Sequence, residues 1–372
     1  MTDLYSTVRQ AVIDAPGISV NATLSSLDKG SLVLPPTYAD APHRHNMTEP
    51  NAENVAAWVS LDSPASFANR VEEKLVRAGL GLDPLRVQVA GTTLSTMQMP
   101  HRVYDAILRD SNLAGEPFPK TEIGKAVTAA SARDASALLQ YDPAVLLFGG
   151  WDSTRIGKKA NDGNKWPAAL SVEIHGENAT LVKRAGNRVD PLRIEGDGQN
   201  LVEEADGTWR LVETEEDRAL PAKSKATRDV FPRRVKPSEL NHGNALSLEP
   251  KGVLVERIRL SGALSLTRLR RYAFGGESES DVNARTLLAL MGLYGVAVAI
   301  EDGLALRRDC ELVADEVSWT IRRTGMPEGQ PLEVSVSEAQ EALSQALAKV
   351  RIADPVVLTA GKNLEQLIAR SR

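Results

Sequence analysis

The sequence predicts a mixed α+β sandwich of the ferredoxin-like kind, from three observations. Strand-like alternation and helix-like periodicity are interleaved along the whole chain. A hairpin signal at Asp206-Gly207 is inserted among them. A doubly wound parallel sheet, the alternative, would need a Gly-rich first strand-to-helix turn, which is missing.

Taken in order, the opening residues read as a helix, and GISVNATLSS alternates as a strand should. LVLPPTYADAPHRHNMTEPN is proline-rich and reads as a loop. DSPASFANRVEEKLVRAGLG carries the strongest helix signal. Ser63 can cap it and Pro64 suits its first turn; Phe67, Val71 and Leu75 share a face, and Gly79 stops it. LRVQVAG reads as a strand. HRVYDAILRD reads as a short helix with Val103 and Ile107 inward. TEIGKAVTAASARDASALLQYD reads as one long helix capped by Thr121, followed by a strand, PAVLLFGG. ALSVEIHG is a further strand. The run from Lys223 to Lys236 has few large apolar residues and reads as an exposed, mobile loop. GVLVERIRLSGAL reads as one long strand and SLTRLRRYAF as a helix. Residues 279–313 give helix, turn at Asp302-Gly303, and strand, and two helices close the chain.

Composition narrows the function classes. Hydrophobic residues at 42% and charged residues at 25% are ordinary for a globular protein. One cysteine, Cys310, excludes a disulfide framework and a thiolate-rich zinc site, and fits a reducing compartment. The N-terminus lacks the basic head and apolar core of a signal peptide, and no uninterrupted apolar run of about 18 residues is present. The expectation is a cytoplasmic protein with no membrane contact. Net charge is −5, but charge is sorted along the chain. Nine acids against Arg210 lie in residues 195–217, seven bases against Asp229 in 218–236, and six bases against Glu256 in 251–271. Such sorting permits a basic groove on an acidic body.

The stretch LLFGGWDSTRIGKK poses the sharpest chemical question. Gly150 and Gly157 are too far apart for a phosphate-cradling P-loop, and Lys158 is followed by Lys159 rather than by Ser or Thr. Ser153 lacks the flanking glycines of a nucleophile elbow. A polar, basic loop remains, with Ser153, Arg155, Lys158 and Lys159 available to a polyanion. Trp151 is expected either to stack or, as large aromatics more often do, to be buried. His43 and His45 have no third ligand at metal spacing. His101 and Asp105 are four apart on one helix face, which makes a His–carboxylate pair available; a polar cluster satisfying helix-end donors is the commoner outcome. Arg102 beside them suits phosphate. Asn69 and Arg70 lie at the edge of the apolar face of the strong helix. In PSELNHGN, Asn241, His242 and Asn244 surround Gly243, forming either a polar turn that donates to phosphate and base edges or a tight turn needing positive φ.

The ordered set LPPTY, SFANRVEE, HRVYDAILRD, FGGWDS, PSELNHGN and LSLTRLRRYAF resembles the backbone subunit of type I-G (formerly I-U) CRISPR interference complexes, a RAMP protein of the Cas-seven group. The resemblance runs from about Ile18 to about Arg323. Phe67 departs from it, standing where the family helix is expected to carry glutamine. The resemblance implies an α+β fold: an RNA-recognition (ferredoxin-like) core with large insertions, including a thumb-like hairpin and a helical insertion. It implies a core over residues 1–330, with about 28–140 as the helical and loop insertion and about 176–250 as the hairpin and basic thumb-like loop. Residues 331–372 would be a C-terminal helical extension.

The function implied is non-catalytic, with no cofactor and no metal. Copies would line up head to tail along a CRISPR guide RNA, hold its spacer by the backbone, and present it to target DNA beside other subunits of the complex. The RNA-binding candidates are then Asn69, Arg70, His101, Arg102, Trp151, Ser153, Arg155, Lys158, Lys159, Arg233, Arg234, Lys236, Asn241, His242 and Asn244. A RAMP-type endoribonuclease using His101, Asp105 or Asp152 is the alternative. A structural protein whose basic loop binds another protein is a third.

Overall fold

The computed structural model describes residues 3–37, 47–152, 165–183, 186–197, 200–247 and 250–371. They form two units, Met1–Thr180 with Leu254–Arg372, and Leu181–Val253. The class is mixed α+β with mainly antiparallel sheets.

In the first unit, Asp3 caps α1 (Leu4–Asp14), its carboxylate accepting the Ser6 N–H at 2.8 Å. The alternation of GISVNATLSS folds as β1 (Gly17–Ser26), with Ile18, Val20, Ala22 and Leu24 buried and the residues between them turned the other way. After β2 (Ala56–Asp62) comes α2 (Pro64–Ala78), as its signals require. Ser63 caps it, Phe67, Val71 and Leu75 are buried, and Gly79 ends it at φ 64°. Phe67 is a core residue here, which accounts for an apolar side chain at that place.

The further elements include β3 (Leu85–Val89), α3 (Ala144–Phe148), β4 (Leu170–Lys183), β5 (Arg257–Ser265), α4 (Ser278–Glu301), β6 (Leu304–Arg307), β7 (Cys310–Arg323), β8 (Met326–Leu332), α5 (Val336–Leu347), β9 (Val356–Ala360) and α6 (Lys362–Ser371). The central antiparallel sheet runs β6-β7-β1-β5-β4, with β8 also on β7 and β2 on the outer edge of β4. In the register, Val20 faces Gly262 on one side and Trp319 on the other.

One face of this sheet is apolar and covered by helices. α4 contacts α1, α2 and α5 and is buried over most of its length. It is long and apolar enough to cross a bilayer, but 83% of that apolar window is buried within the protein, so it reads as a core helix. Each fully buried leucine or isoleucine contributes roughly 1.5–3 kcal/mol relative to exposure, so much of the stability of the unit resides on this face. Gly295 lets α4 approach α2; a Cβ there would stand 2.4 Å from Val71 Cγ1.

Several expected elements differ. PAVLLFGG is the helix α3, with all five residues buried, and not a strand. A short apolar run has no period to distinguish the two, and Gly149 at φ 90° supplies the stop. The long helix after Thr121 is two, Glu122–Ala129 and Ser136–Tyr141, separated where the backbone turns extended at Ala130, and where Ser131 and Asp134 exchange backbone hydrogen bonds at 3.0 Å. HRVYDAILRD gives two short turns, Arg102–Tyr104 and Ala106–Arg109. The expected long strand is β5 preceded by a separate strand, Pro250–Leu254, and SLTRLRRYAF contributes only one helical turn, Leu266–Leu269. β9 is a strand that the periodicity did not single out. It pairs in parallel with β3 and antiparallel with Ser111–Leu113.

In the second unit, the hairpin at Asp206-Gly207 forms as expected between Leu201–Glu203 and Trp209–Leu211. The basic run is not wholly an exposed loop. Arg233–Val235 pairs with Leu201–Glu203 as a third strand, and Arg233 is buried.

Candidate nucleic-acid interface

The face of the central sheet away from the helices is polar. Cross-strand partners share a face, so the register fixes which side chains stand together. Trp58 on β2, Glu177 on β4 and Arg257 on β5 form one row. Ser60, His175, Arg259, Thr23 and Glu316 form the next. Glu173, Ser261, Asn21 and Ser318 follow, then Ser171, Ala263, Ser19 and Thr320. Hydroxyls and amides in such rows offer hydrogen bonds to a phosphodiester backbone. Two guanidiniums add charge. Arg259 Nε lies 3.0 Å from Glu177 Oε1 and Arg257 Nε 3.3 Å from Glu177 Oε2, with side chains 48% and 54% exposed. Trp58 is 45% exposed beside them. None of Trp58, Glu177, His175, Arg257 or Arg259 was among the sequence candidates. Alternation in AAWVSLD, SVEIHGE and RIRLSGALS was the available signal.

The candidates from the sequence are distributed differently. Asn69 is exposed on α2. Arg70 joins α2 to β6, with Nε 2.9 Å from Asp62 and both terminal nitrogens donating to the Ala305 and Leu306 carbonyls at 3.1 Å. Arg102 is only 8% exposed, at φ 53°. It binds both Glu72 oxygens at 2.6 and 2.8 Å, donates to Gly149 O at 2.9 Å, and lies over the Phe148 ring. Burial pushes Glu72 up to about 7 against the pull of Arg102. Burial likewise pushes Asp142 up to about 6, although its Oδ2 accepts the Val103 N–H at 2.8 Å. This buried cluster fixes the base of the GGWDS loop.

His101 is exposed, and its backbone N–H donates to Asp105 Oδ2 while Ile107 N–H donates to Oδ1. Asp105 is thus a helix cap satisfying backbone donors. Trp151 is 46% exposed, which corrects its expected burial. The short strand Gly150–Trp151 pairs with Lys165–Trp166, and Trp166 takes the inner place, its Nε1 donating to Tyr104 Oη at 2.9 Å. Trp151 faces outward beneath the Lys165 ammonium at 5.2 Å. Ser153, Arg155, Lys158, Lys159, His43 and His45 lie outside the described residues. Asp152 is buried. Among the described residues, no group of three or more His, Cys, Asp or Glu is placed to hold a metal ion.

In the second unit, Arg233 binds Glu203 at 2.8 Å, donates to the Thr227 carbonyl and lies over the Phe231 ring. Arg234 Nε donates to Leu220 O at 2.9 Å. Lys236, exposed, pairs with Asp197 at 3.1 Å. The NHGN turn is organised by Asp190, which accepts Gly243 N–H at 2.6 Å and gives its own N–H to Asn244 Oδ1 at 2.7 Å. Those backbone donors, Gly243 first, hold the Asp190 carboxyl below its usual range. Asn241 has φ 63°, and His242 stands edge-on to Trp209 at 5.7 Å.

Fold and face together define an α+β protein with a helix-covered sheet whose other side is open, polar and arginine-bearing. Comparison with known families makes this particular. Residues 18–181 match the family model described as CRISPR-associated protein GSU0053 (Cas_GSU0053). That match bears out the resemblance to a CRISPR-associated family over residues 18–181, which hold four of the six ordered motifs. A comparison with curated proteins gave no match.

Proposed function

We propose that this chain is the guide-RNA-binding backbone subunit of a type I-G CRISPR surveillance complex, built on an RNA-recognition core. Strand order carries the reading. Taking β1, β4, β5 and β7 as the first to fourth strands of a β-α-β-β-α-β core, α2 lies in the first crossover and α4 in the second. Their order across the sheet is fourth, first, third, second, antiparallel throughout. The face opposite the helices is the open one. In this reading it holds the guide by its backbone while base pairing with target DNA reads sequence.

The role is non-catalytic. Asp105 is engaged at both oxygens by backbone donors, and burial pushes the lone Cys310 thiol up to about 11, far from a working nucleophile. The complex works in the cytoplasm beside other subunits. Identical copies bound in one polarity meet through two different surfaces, and such an interface propagates instead of closing into a dimer. Complex mass measured on guides of increasing length tests this. Growth by whole subunits is expected; a fixed dimer at every length contradicts it.

A further inference from the structure

The open face contains a feature that a simple anion-binding surface does not need. One carboxylate, Glu177, stands between two arginines on the neighbouring strand and holds both by their Nε atoms. Both guanidiniums are about half exposed, and each carries five N–H donors, so most of their capacity faces outward. Exposed ion pairs contribute little to stability, so the arrangement is a weak explanation for the fold. Glu256 stands 3.8 Å from Arg257, so the two guanidiniums are locally balanced by two carboxylates. In the row of Glu177 and on its other side is the exposed indole of Trp58, two strand spacings, about 10 Å, from Arg257. His175 and Ser60 stand in the adjacent row.

We infer that Trp58, Arg257 and Arg259 form one nucleotide-binding position on the open face, and that Glu177 is its internal anion. The indole takes a base, the arginine pair takes the phosphodiester, and Glu177 holds the pair until the phosphate replaces it. This rests on the RNA-binding reading and deepens it. Phosphate and carboxylate both fit the guanidinium fork, so binding is an exchange of one anion for another. The exchange keeps the arginines aligned when RNA is absent. It also weakens capture of isolated phosphates, because only a ligand that stacks on Trp58 as well recovers what the lost ion pairs supplied.

The test uses the full chain and a fluorescent single-stranded RNA hexamer, titrated at several salt concentrations. Glu177→Gln is expected to tighten binding several-fold, because the arginines no longer have to release a carboxylate. Arg257→Gln with Arg259→Gln should weaken it at least ten-fold and flatten the salt dependence, since fewer phosphates are neutralised. Trp58→Ala should weaken it about ten-fold with the salt slope unchanged, because stacking releases no counterions. Arg257→Lys with Arg259→Lys keeps the charge and should restore the slope, which separates phosphate contact from damage to the sheet. Glu177→Gln that weakens binding or leaves it unchanged overturns the inference. So does RNA binding indifferent to all these changes, which leaves the RNA-binding reading intact on another surface. An unsubstituted chain that binds no RNA overturns both.

Discussion

Arg102 and Arg259 are the same residue type in opposite circumstances. Arg102 is almost fully buried, and its nitrogens are engaged by Glu72 and the Gly149 carbonyl. Arg259 is half exposed on the open sheet face and held by a single contact to Glu177. Charge counted along a chain is therefore not charge available to a ligand. The basic run at 218–236 contains Arg233, which is buried against Glu203. In the run at 251–271, Arg268 donates to the Ala168 carbonyl and Arg270 to the Val12 and Ala15 carbonyls. Arg257 and Arg259, by contrast, alternate onto the open face.

The comparison breaks most visibly in stability. Arg102→Ala leaves Glu72 buried without its partner and should cost about 3–5 kcal/mol in denaturant unfolding, more at pH 8 than at pH 5. Arg257→Gln with Arg259→Gln should stay within about 0.5 kcal/mol of the parent. Equal losses for the two would show that the buried and exposed arginines do the same work. The two tryptophans of the GGWDS hairpin make a parallel pair. Trp166→Ala removes a buried ring and should cost about 3–5 kcal/mol.

Acidity sharpens the comparison between the two units. Burial raises Glu72 to about 7 and Asp142 to about 6, so the folded first unit holds these protons more tightly than the unfolded chain does. Their contribution is fully present below the ordinary carboxylate range and is lost as pH rises toward 7. In the second unit the direction reverses. Asp217 is lowered, first by its hydrogen bond from Arg210, and Asp190 by backbone N–H groups. Their contribution is present above the ordinary range and is lost as pH falls below it. Amide exchange followed from pH 8 to pH 2.5 should show protection near Arg102 rising as pH falls toward 5, while that near Gly243 holds to about pH 4 and declines only below it. Parallel changes in both regions would contradict the assignment. Trp151→Ala, by contrast with Trp166→Ala, loses only an exposed cation–π contact to Lys165 and should cost about 0.5–1 kcal/mol.

What could be read from the sequence follows from what is local. α2 was legible from cap to stop because Ser63, Phe67, Val71, Leu75 and Gly79 act within one helix. The Asp206-Gly207 hairpin was legible because a tight turn with Gly207 at φ 82°, closed by Glu204 and Thr208, sets its own register. α3 was not, since an apolar run of five residues has no period. β9 was not either, because its partner, β3, lies far away in the chain. The inward Trp166 and outward Trp151 depend on a pairing that composition cannot reveal. The open face was hidden for the same reason: Trp58, Glu177 and Arg257 become neighbours only through the registers of β2, β4 and β5. Buried Arg102 and Arg233 misled in the other direction, since a charged residue beside a loop looks available until its carboxylate partner is located.

RNA held by its backbone on the open sheet face is the central claim, and its most direct test is affinity against salt for two guide-length RNAs of unrelated sequence. From about 50 to 200 mM salt, both affinities should fall steeply and together, because released counterions drive the binding and no base is read. Affinity indifferent to salt, or one guide bound much more tightly than the other, would contradict the account.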